Sequence, residues 1–216
     1  MHLRLALYSD QVIAENSVID ERVLRLIGVS RPRIGYVSSS PDPDRVYFDE
    51  KHAYYANLGA ELTSYIDSET TDLDGALQIL LSCDAIQLTG GNTFSFLRWL
   101  KARRVLPVLC GYAKRGGVLI GTSAGAILMT PAITIATLSG DMPDSIVVDE
   151  TAMALVGFHF WPHYIPGAEL EPNAVRVLRK LPNAYACPDG SGLIIDGSQT
   201  ELYGSVRLLS PVPSAA

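Results

Sequence analysis

The sequence predicts an α/β fold around a mainly parallel β-sheet. Short runs of strand-forming residues alternate with longer amphipathic runs, which is the pattern of repeated βα units. The length of 216 residues suits one compact domain, because single α/β domains commonly reach about 200–250 residues. We therefore expect one domain over residues 1–210, followed by a frayed tail, "PVPSAA", over residues 211–216.

The first part of the chain supplies the βα units in order. The predicted strands are Leu3–Tyr8, Arg33–Ser38, Glu61–Ile66, Ala85–Leu88 and Val118–Gly121. The predicted helices cover about residues 20–28, 47–58, 73–83, 94–103 and 106–115. The third helix has a Thr/Asp-rich start, followed by apolar residues along one face, which is typical of a capped helix packed on a core.

After Pro131 the pattern changes, with no internal repeat and no low-complexity linker. The segments "AITIAT" and "ALVGFHFWPHY" are predicted strands, and "LSGDMPDS" between them is a predicted loop. The segment "EPNAVRVLRKL" is a predicted helix, and "SGLIIDG" with "ELYGSVRLL" is a predicted closing hairpin.

Composition excludes several classes of partner. Acidic residues outnumber basic ones by 23 to 17, and no dense Lys/Arg cluster is present, so we expect no nucleic-acid partner. No segment reaches the roughly 20 apolar residues of a membrane span. The start "MHLRLALYSD" is typical of a first strand and not of a signal peptide, so we expect a cytoplasmic protein without membrane contact.

Cysteine usage gives no sign of a metal site. Cys83, Cys110 and Cys187 are far apart and lack the spacing of zinc ligands. We interpret them as buried apolar thiols, and we expect neither a metal nor an organic cofactor.

The strongest candidate for chemistry is Ser123 in "VLIGTSAGAILMTP". Gly121 and Gly125 flank it in a G-x-S-x-G pattern between a predicted strand and a helix, where a tight turn lifts the serine hydroxyl above the sheet. The N–H of Ala124, at the start of that helix, is free to face a developing oxyanion. The alternative is a tight turn whose serine only caps the helix.

A second candidate follows the preceding strand in "LTGGNTFSFLRWL". Paired glycines followed by Asn92 and Thr93 at a helix start form a cluster of backbone N–H groups that can bind an anion. We choose Gly91 as the second oxyanion donor. A plain capped turn between strand and helix is the alternative.

A serine nucleophile needs a base, and the base needs a carboxylate to orient it. Among the four histidines, His163 in "GFHFWPHYIPG" lies where the chain leaves an apolar strand, whereas His159 lies within that strand. We therefore prefer His163 as the base. Two acids occupy loops after strands, Asp189 in "ACPDGSG" and Asp141 in "SGDMPDS"; either could orient the base, and Asp141 could instead face a substrate amino group.

Together, the segments "LTGGNTF", "GTSAGA", "DMP", "PHY" and "PDG", in this order over about residues 80–195, resemble the peptidase E (aspartyl dipeptidase) family of serine exopeptidases, whose relatives include cyanophycinase. The resemblance implies a three-layer sandwich of the class I glutamine amidotransferase type, with serine where those enzymes use cysteine. It also implies hydrolysis of short peptides.

The resemblance assigns the nucleophile to Ser123, the base to His163 and the oxyanion donors to Gly91 and Ala124. The third member of the family's triad is a glutamate in a Pro-Glu-Gly turn, and this turn falls on Asp189 here. The sequence thus departs from the family by one methylene, and we keep Asp189 as the orienting residue with Asp141 in reserve.

A second departure concerns specificity. Relatives selective for an N-terminal aspartate resemble one another in an arginine, within a Thr-Arg-Glu run, on the helix after the histidine. This chain has Arg176 in that neighbourhood, flanked by valines, and a solvated helix face explains it equally well. We regard Asn92, Asp141, Tyr164 and Arg176 as candidate substrate contacts.

Several alternatives stay open at this point. The same fold could carry a cyanophycinase-like isopeptidase, an esterase or a non-catalytic protein that binds small molecules. The partner we expect is a short peptide substrate, and the chain is expected to be a monomer or a homodimer.

Overall fold

A computed structural model describes residues 2–142 and 149–209 of the chain. The tail predicted for residues 211–216 and Pro143 of the "DMP" segment lie outside these ranges. The strands are β1 (Arg4–Tyr8), β2 (Arg33–Val37), β3 (Glu61–Ile66), β4 (Ala85–Leu88), β5 (Val118–Thr122), β6 (His159–Pro162), β7 (Ala184–Cys187), β8 (Gly192–Asp196), β9 (Gln199–Tyr203) and β10 (Arg207–Leu209). The α-helices are α1 (Ser17–Ile27), α2 (Val46–Asn57), α3 (Leu73–Leu81), α4 (Thr93–Ala102), α5 (Val105–Lys114), α6 (Ala124–Ile127) and α7 (Pro172–Leu178).

A seven-stranded mixed sheet forms the centre of the fold, in the order β3-β2-β4-β5-β1-β8-β9. The first five of these strands pair in parallel. The last two form an antiparallel hairpin at one edge. The parallel strands all end at the same edge of the sheet, so the loops that follow them converge there.

Helices cover both faces of this sheet. In β1, Leu5 and Leu7 belong to one core, and Ala6 and Tyr8 belong to the other, because successive side chains of a strand point to opposite faces. The first core includes buried residues of α3, α4, α5 and α6, and the second includes residues of α1 and α2. The predicted α/β sandwich, a largely parallel sheet with helices on both faces, is confirmed.

A second, three-stranded sheet lies beside the first in the order β10-β7-β6. Its strands β6 and β7 are parallel, with Pro162 opposite Cys187 at their carboxyl ends. The chain segments that follow these two strands therefore emerge side by side. This sheet was not predicted, because its strands are short and distant in sequence.

Three of the predicted elements were wrong in part. "AITIAT" is not a strand; apart from an isolated Ala132–Thr151 bridge, the described segment continues as a 3-10 helix over Thr134–Ser139. Its β-branched residues suggested a strand, but its two isoleucines, Ile133 and Ile135, are buried in the first core instead. The long strand over "ALVGFHFWPHY" is restricted to β6, and the closing hairpin ends at β9 because β10 crosses to the second sheet.

No helix within the described ranges is long and apolar enough to cross a membrane. The three cysteines are free thiols; Cys83 and Cys187 are buried, whereas Cys110 is half-buried.

Leu80 provides a test of the packing between α3 and β2. Its side chain is fully buried, and a Cβ added to Gly35 would lie 2.5 Å from Leu80 Cδ1. We expect Leu80→Ala to lower the free energy of unfolding by about 3 kcal/mol, because the lost methyl groups leave a cavity in a rigid core. The neighbouring Ile79 is 51% exposed, so Ile79→Ala should change it by less than about 0.5 kcal/mol. Urea denaturation of both variants measures the difference; equal losses would contradict this packing.

Candidate active site

The functional residues lie at the edge where the parallel strands end. Ser9 follows β1, Gly91 follows β4, and Ser123 follows β5 in the large sheet. His163 follows β6 and Asp189 follows β7 in the small sheet. Residues from five strand ends, distant in sequence, thereby reach one place, which is where ligands bind in open α/β sheets.

Ser123 occupies a strained turn between β5 and α6. Its backbone has φ 48° and ψ −108°, a region that non-glycine residues rarely adopt. The Ser123 N–H donates to the Tyr8 carbonyl at 2.9 Å, which continues the pairing of β5 with β1. The side chain is half-buried. A serine in this turn presents its hydroxyl above the sheet edge, as in a nucleophile elbow.

The two glycines around Ser123 are required by close backbone contacts. A Cβ on Gly121 would lie 2.6 Å from the Ala126 nitrogen and from the Gly125 carbonyl group. A Cβ on Gly125 would lie 2.3 Å from the Leu88 carbonyl oxygen at the end of β4. The helix α6 therefore packs directly on the backbone of two strands, and only glycine leaves room for it.

Two backbone N–H groups beside the serine are available to an oxyanion. Ala124 is the first residue of α6, and Gly91, with φ 122°, belongs to the loop after β4. That loop touches the serine, because a Cβ on Gly90 would lie 3.6 Å from Ser123 Cβ. Over the described ranges, no backbone carbonyl accepts a hydrogen bond from Gly91 or Ala124. The two predicted oxyanion donors thus belong to the two segments that meet at the serine, and no backbone acceptor is recorded for either N–H.

His163 joins Ser123 to Asp189. Its Nε2 lies 3.0 Å from Ser123 Oγ, and its Nδ1 lies 2.7 Å from Asp189 Oδ1. The side chains of His163 and Asp189 are 38% and 55% exposed, so both are accessible from solvent. The structure brings together the three residues that the sequence suggested for a triad, and it pairs His163 with Asp189 and not with Asp141. This arrangement can transfer a proton from the serine to the imidazole.

Ser9, which sequence reasoning missed, holds both partners of the serine. It is fully buried, and its Oγ accepts the His163 backbone N–H at 2.8 Å. The same hydroxyl lies 2.8 Å from the Cys187 carbonyl oxygen and 3.1 Å from Asp189 Oδ1, and it can donate to one of them at a time. The signal was present in "LYSD", where a polar residue directly follows an apolar strand at the functional edge.

Two cavities are lined by residues next to Ser123. One, of about 450 Å³, contains His163 and residues of α7. The other, of about 600 Å³, is lined by Gly90, which lies beside Ser123 in space, and by Thr122, which precedes Ser123 in sequence. Both volumes lie in the range of about 300–1,000 Å³ that is usual for small-molecule sites.

Two tyrosines line these cavities, and one of them, Tyr164, is a candidate substrate contact from the sequence. Tyr164 lines the cavity beside His163; it is buried, stacks edge-on against Trp161, and its hydroxyl accepts from the Arg207 guanidinium at 3.2 Å. Tyr47 lines the larger cavity and is 69% exposed. Both can contact a bound ligand.

Asn92 and Asp141 serve the local fold. Asn92 Oδ1 caps α4 by accepting the Ser95 N–H at 3.0 Å, and its Nδ2 donates to the Met142 carbonyl at 2.8 Å. Asp141 Oδ2 accepts the Thr93 N–H at 2.8 Å and also the Thr93 hydroxyl. These bonds fix the start of α4 and hence the loop that carries Gly91.

Arg176 and His159 lie outside the reactive cluster. Arg176 is exposed, donates to Asn173 Oδ1 at 2.8 Å within its own helix, and lines neither of the two cavities described above. His159 is buried in β6, and burial lowers its pKa. Its Nδ1 is buried without a hydrogen-bond partner in the described part of the chain. His159 is therefore a packed strand residue, as its sequence position suggested.

Among the described residues, no group of three or more His, Cys, Asp or Glu side chains is placed so that it could hold a metal ion.

The model of peptidase family S51 matches residues 6–203, which is most of the chain. The chain belongs to peptidase family S51.

The relatives that match this chain are distant from it in sequence. Peptidase E of Pasteurella multocida is 28% identical over 141 residues, covering 61% of this chain and 59% of that protein. Peptidase E of a Nostoc species is 30% identical over 142 residues, covering 62% and 57%. An uncharacterized peptidase of Listeria monocytogenes is 28% identical over 160 residues, covering 69% and 78%. The chain spans about three-fifths of the length of the first two curated relatives it matches, at 59% and 61%.

Two solved structures share the fold of this chain over almost its whole length. A peptidase from an acI-B1 Actinobacterium has a TM-score of 0.73 at 15% identity, covering 98% of this chain and 93% of that one. A Listeria monocytogenes protein has a TM-score of 0.74 at 21% identity, covering 97% and 100%. The fold is therefore retained where little sequence identity is left.

Gly125 tests the contact between α6 and β4. We expect Gly125→Ala to lower the free energy of unfolding by about 1–3 kcal/mol, because the added methyl group overlaps the Leu88 backbone. Any hydrolytic activity should fall with it, since the displaced helix carries Ser123 and Ala124. Gly157 has an exposed backbone with nothing within 4 Å of an added Cβ, so Gly157→Ala is the matched control. Thermal unfolding and activity assays of both variants check the expectation; a Gly125→Ala protein as stable as the control would contradict it.

Ser9 tests the coupling of the two strand ends in the small sheet. We expect Ser9→Ala to lower kcat by about 10- to 100-fold with KM nearly unchanged, because small displacements of a catalytic group have effects of this size. Ser191 is also buried, and its hydroxyl accepts the Ser205 N–H at 3.0 Å, with no bond recorded between this hydroxyl and His163 or Asp189. Ser191→Ala should lower stability but keep kcat. If both variants lose stability and kcat in parallel, Ser9 has no positioning role.

Proposed function

We propose that this S51 chain is a serine exopeptidase that hydrolyses short peptides. The observation that carries the proposal is the continuous set of contacts from Asp189 through His163 to Ser123, at 2.7 and 3.0 Å, beside two unpaired backbone N–H groups. Family membership supports the reaction class. The name Peptidase E, carried by matched relatives from Pasteurella and Nostoc, supports peptide hydrolysis.

Acylation is the first chemical step. His163 Nε2 takes the proton of the Ser123 hydroxyl as Oγ attacks the scissile carbonyl carbon. The carbonyl oxygen becomes an oxyanion and accepts hydrogen bonds from the N–H groups of Gly91 and Ala124. The proton on His163 then passes to the leaving amine, the C–N bond breaks, and an ester on Ser123 remains.

Deacylation uses the same groups in reverse. His163 Nε2 takes a proton from water, and the resulting hydroxide attacks the ester carbonyl in the same oxyanion site. The Ser123 oxygen leaves and recovers its proton from His163. Throughout both steps Asp189 holds Nδ1 protonated and stabilises the imidazolium, without being protonated itself.

Asp189 performs the role that a glutamate has in the family the sequence resembles. The shorter side chain still reaches Nδ1 at 2.7 Å. Two features support this reach. The turn after β7 lies directly beside His163 in the small sheet, and Ser9 contacts both residues.

Short peptides are the substrates we propose, because each cavity beside the serine has the volume of a small-molecule site and not of an extended groove. We do not propose strict selectivity for an N-terminal aspartate through Arg176, whose guanidinium is exposed and bonded to Asn173. In the smaller cavity, Tyr164 and Trp161 offer an aromatic surface for a substrate side chain.

A library of dipeptides and tripeptides tests the proposal. We expect wild type to release free amino acids, Ser123→Ala to lose about 10⁴-fold or more in kcat/KM, and Asp189→Ala to lose about 10³- to 10⁴-fold. Asp141→Ala is the matched control: it removes a helix cap worth about 1 kcal/mol but should keep kcat/KM within about tenfold of wild type. A fluorophosphonate should label wild type at Ser123 only.

Each other result has a distinct meaning. If wild type cleaves no peptide but hydrolyses acyl esters or β-linked Asp-Arg dipeptides, the protein is an esterase or isopeptidase on the same fold. Failure of Ser123 to react with the fluorophosphonate would show that the chain is non-catalytic. An inactive Asp141→Ala with a fully active Asp189→Ala would reverse the assignment of the orienting carboxylate.

A further inference from the structure

The larger cavity contains a lysine that the mechanism does not use. Lys51, on α2, is half-buried and lines this cavity. Its Nζ donates to Gln11 Oε1 at 2.9 Å and lies 5.3 Å from the centre of the Tyr54 ring. Within residues 2–142 and 149–209, Gln11 is the one hydrogen-bond acceptor recorded for this ammonium. An ammonium has three N–H donors, so two of them are left for another acceptor.

The same lysine is connected to the nucleophile by a short path. Gln11 Oε1 also accepts the Thr122 hydroxyl at 2.8 Å, and Thr122 directly precedes Ser123. Gly91, a proposed oxyanion donor, lines the same cavity. A ligand in contact with Lys51 would therefore lie close to the reacting carbonyl group.

We propose that the larger cavity is a subsite for a carboxylate of the peptide, bound through the ammonium of Lys51. This inference rests on the proposed function, since it names the chemistry of the substrate at the same site. The carboxylate is either the peptide's free C-terminus or an acidic side chain. A carboxylate accepts charge-assisted hydrogen bonds from an ammonium, which are about twice as strong as neutral ones.

The charges around Lys51 permit its ammonium to bind a carboxylate. Burial lowers the pKa of Lys51 to about 8, so the side chain stays largely protonated at pH 7. Two carboxylates share the cavity: Asp10 accepts the Gln11 backbone N–H at 2.7 Å, and Glu50 is exposed. Both support the positive charge of Lys51, and neither is recorded as bonded to its Nζ. The nearby Asp20 is buried, which raises the pKa of its carboxyl group.

The test measures binding, separately from catalysis, by calorimetry at pH 7 on Ser123→Ala protein. Four dipeptides serve as probes: Ala-Ala-NH2 has no carboxylate, Ala-Ala has only the terminal one, and Glu-Ala-NH2 and Ala-Glu-NH2 have only a side-chain one. We expect at least one carboxylate probe to bind about tenfold more tightly than Ala-Ala-NH2, which corresponds to about 1.4 kcal/mol. The probe that does so identifies the source of the carboxylate.

Substitutions then assign this preference to a residue. Lys51→Met in the Ser123→Ala background should abolish the preference and leave the affinity for Ala-Ala-NH2 unchanged. Glu50→Gln should tighten carboxylate binding slightly, because it removes an opposing charge. Lys114, which is exposed on α5 across the sheet, gives the matched control: Lys114→Met should keep the full preference.

A pH series adds an independent reading. Because burial lowers the pKa of Lys51 to about 8, the carboxylate preference should be full at pH 6.5 and mostly lost by pH 9.5. An arginine keeps its charge over this range, so Lys51→Arg should keep the preference at pH 9.5. Equal binding of all four probes, or equal losses for charged and uncharged probes in Lys51→Met, would overturn the subsite. Those results would leave the proposed peptidase function intact, because that function is tested by hydrolysis with wild type.

Discussion

The contact on which the site depends is the approach of α6 to the backbone of β4 and β5. Gly121 and Gly125 allow this helix to lie against two strands without a side chain between them. At the start of this helix, Ser123 has a positive φ and directly precedes Ala124, the first residue of α6. The loop after β4, which contains Gly90 and Gly91, lies against the serine. One steric requirement thus helps to position the serine hydroxyl and the two N–H groups that we propose as oxyanion donors.

A second feature of the site is that its three side chains come from two different sheets. Ser123 belongs to the large sheet, whereas His163 and Asp189 follow adjacent parallel strands of the small one. Ser9, at the end of β1 in the large sheet, contacts the His163 backbone and the Asp189 carboxylate together. A single buried hydroxyl therefore connects His163 and Asp189, the proposed base and its orienting carboxylate, to the sheet that carries Ser123.

Much of this was predictable from local sequence. The βα rhythm predicted β1 to β5 closely, because parallel buried strands are short apolar runs bounded by turns. The residues directly after strands predicted Ser123, Gly91, His163 and Asp189, since strand ends share one edge. The small sheet was missed because its short strands pair with segments that are far away in sequence. The 3-10 helix was missed because its β-branched residues are typical of a strand. Asp141 was ambiguous for the same reason: only the fold reveals that it caps α4.

The parallel pairing of β6 with β7 has one further consequence. Pro162 and Cys187 lie opposite each other in register. The imidazole of His163 and the carboxylate of Asp189 therefore follow the ends of two adjacent strands of the small sheet. A small shift of the turn after β7 can compensate for a change in the length of the acidic side chain. Such a shift does not require β5, α6 or the proposed oxyanion donors, the Gly91 and Ala124 N–H groups, to move. An aspartate in place of glutamate is thus a local exchange at the end of β7.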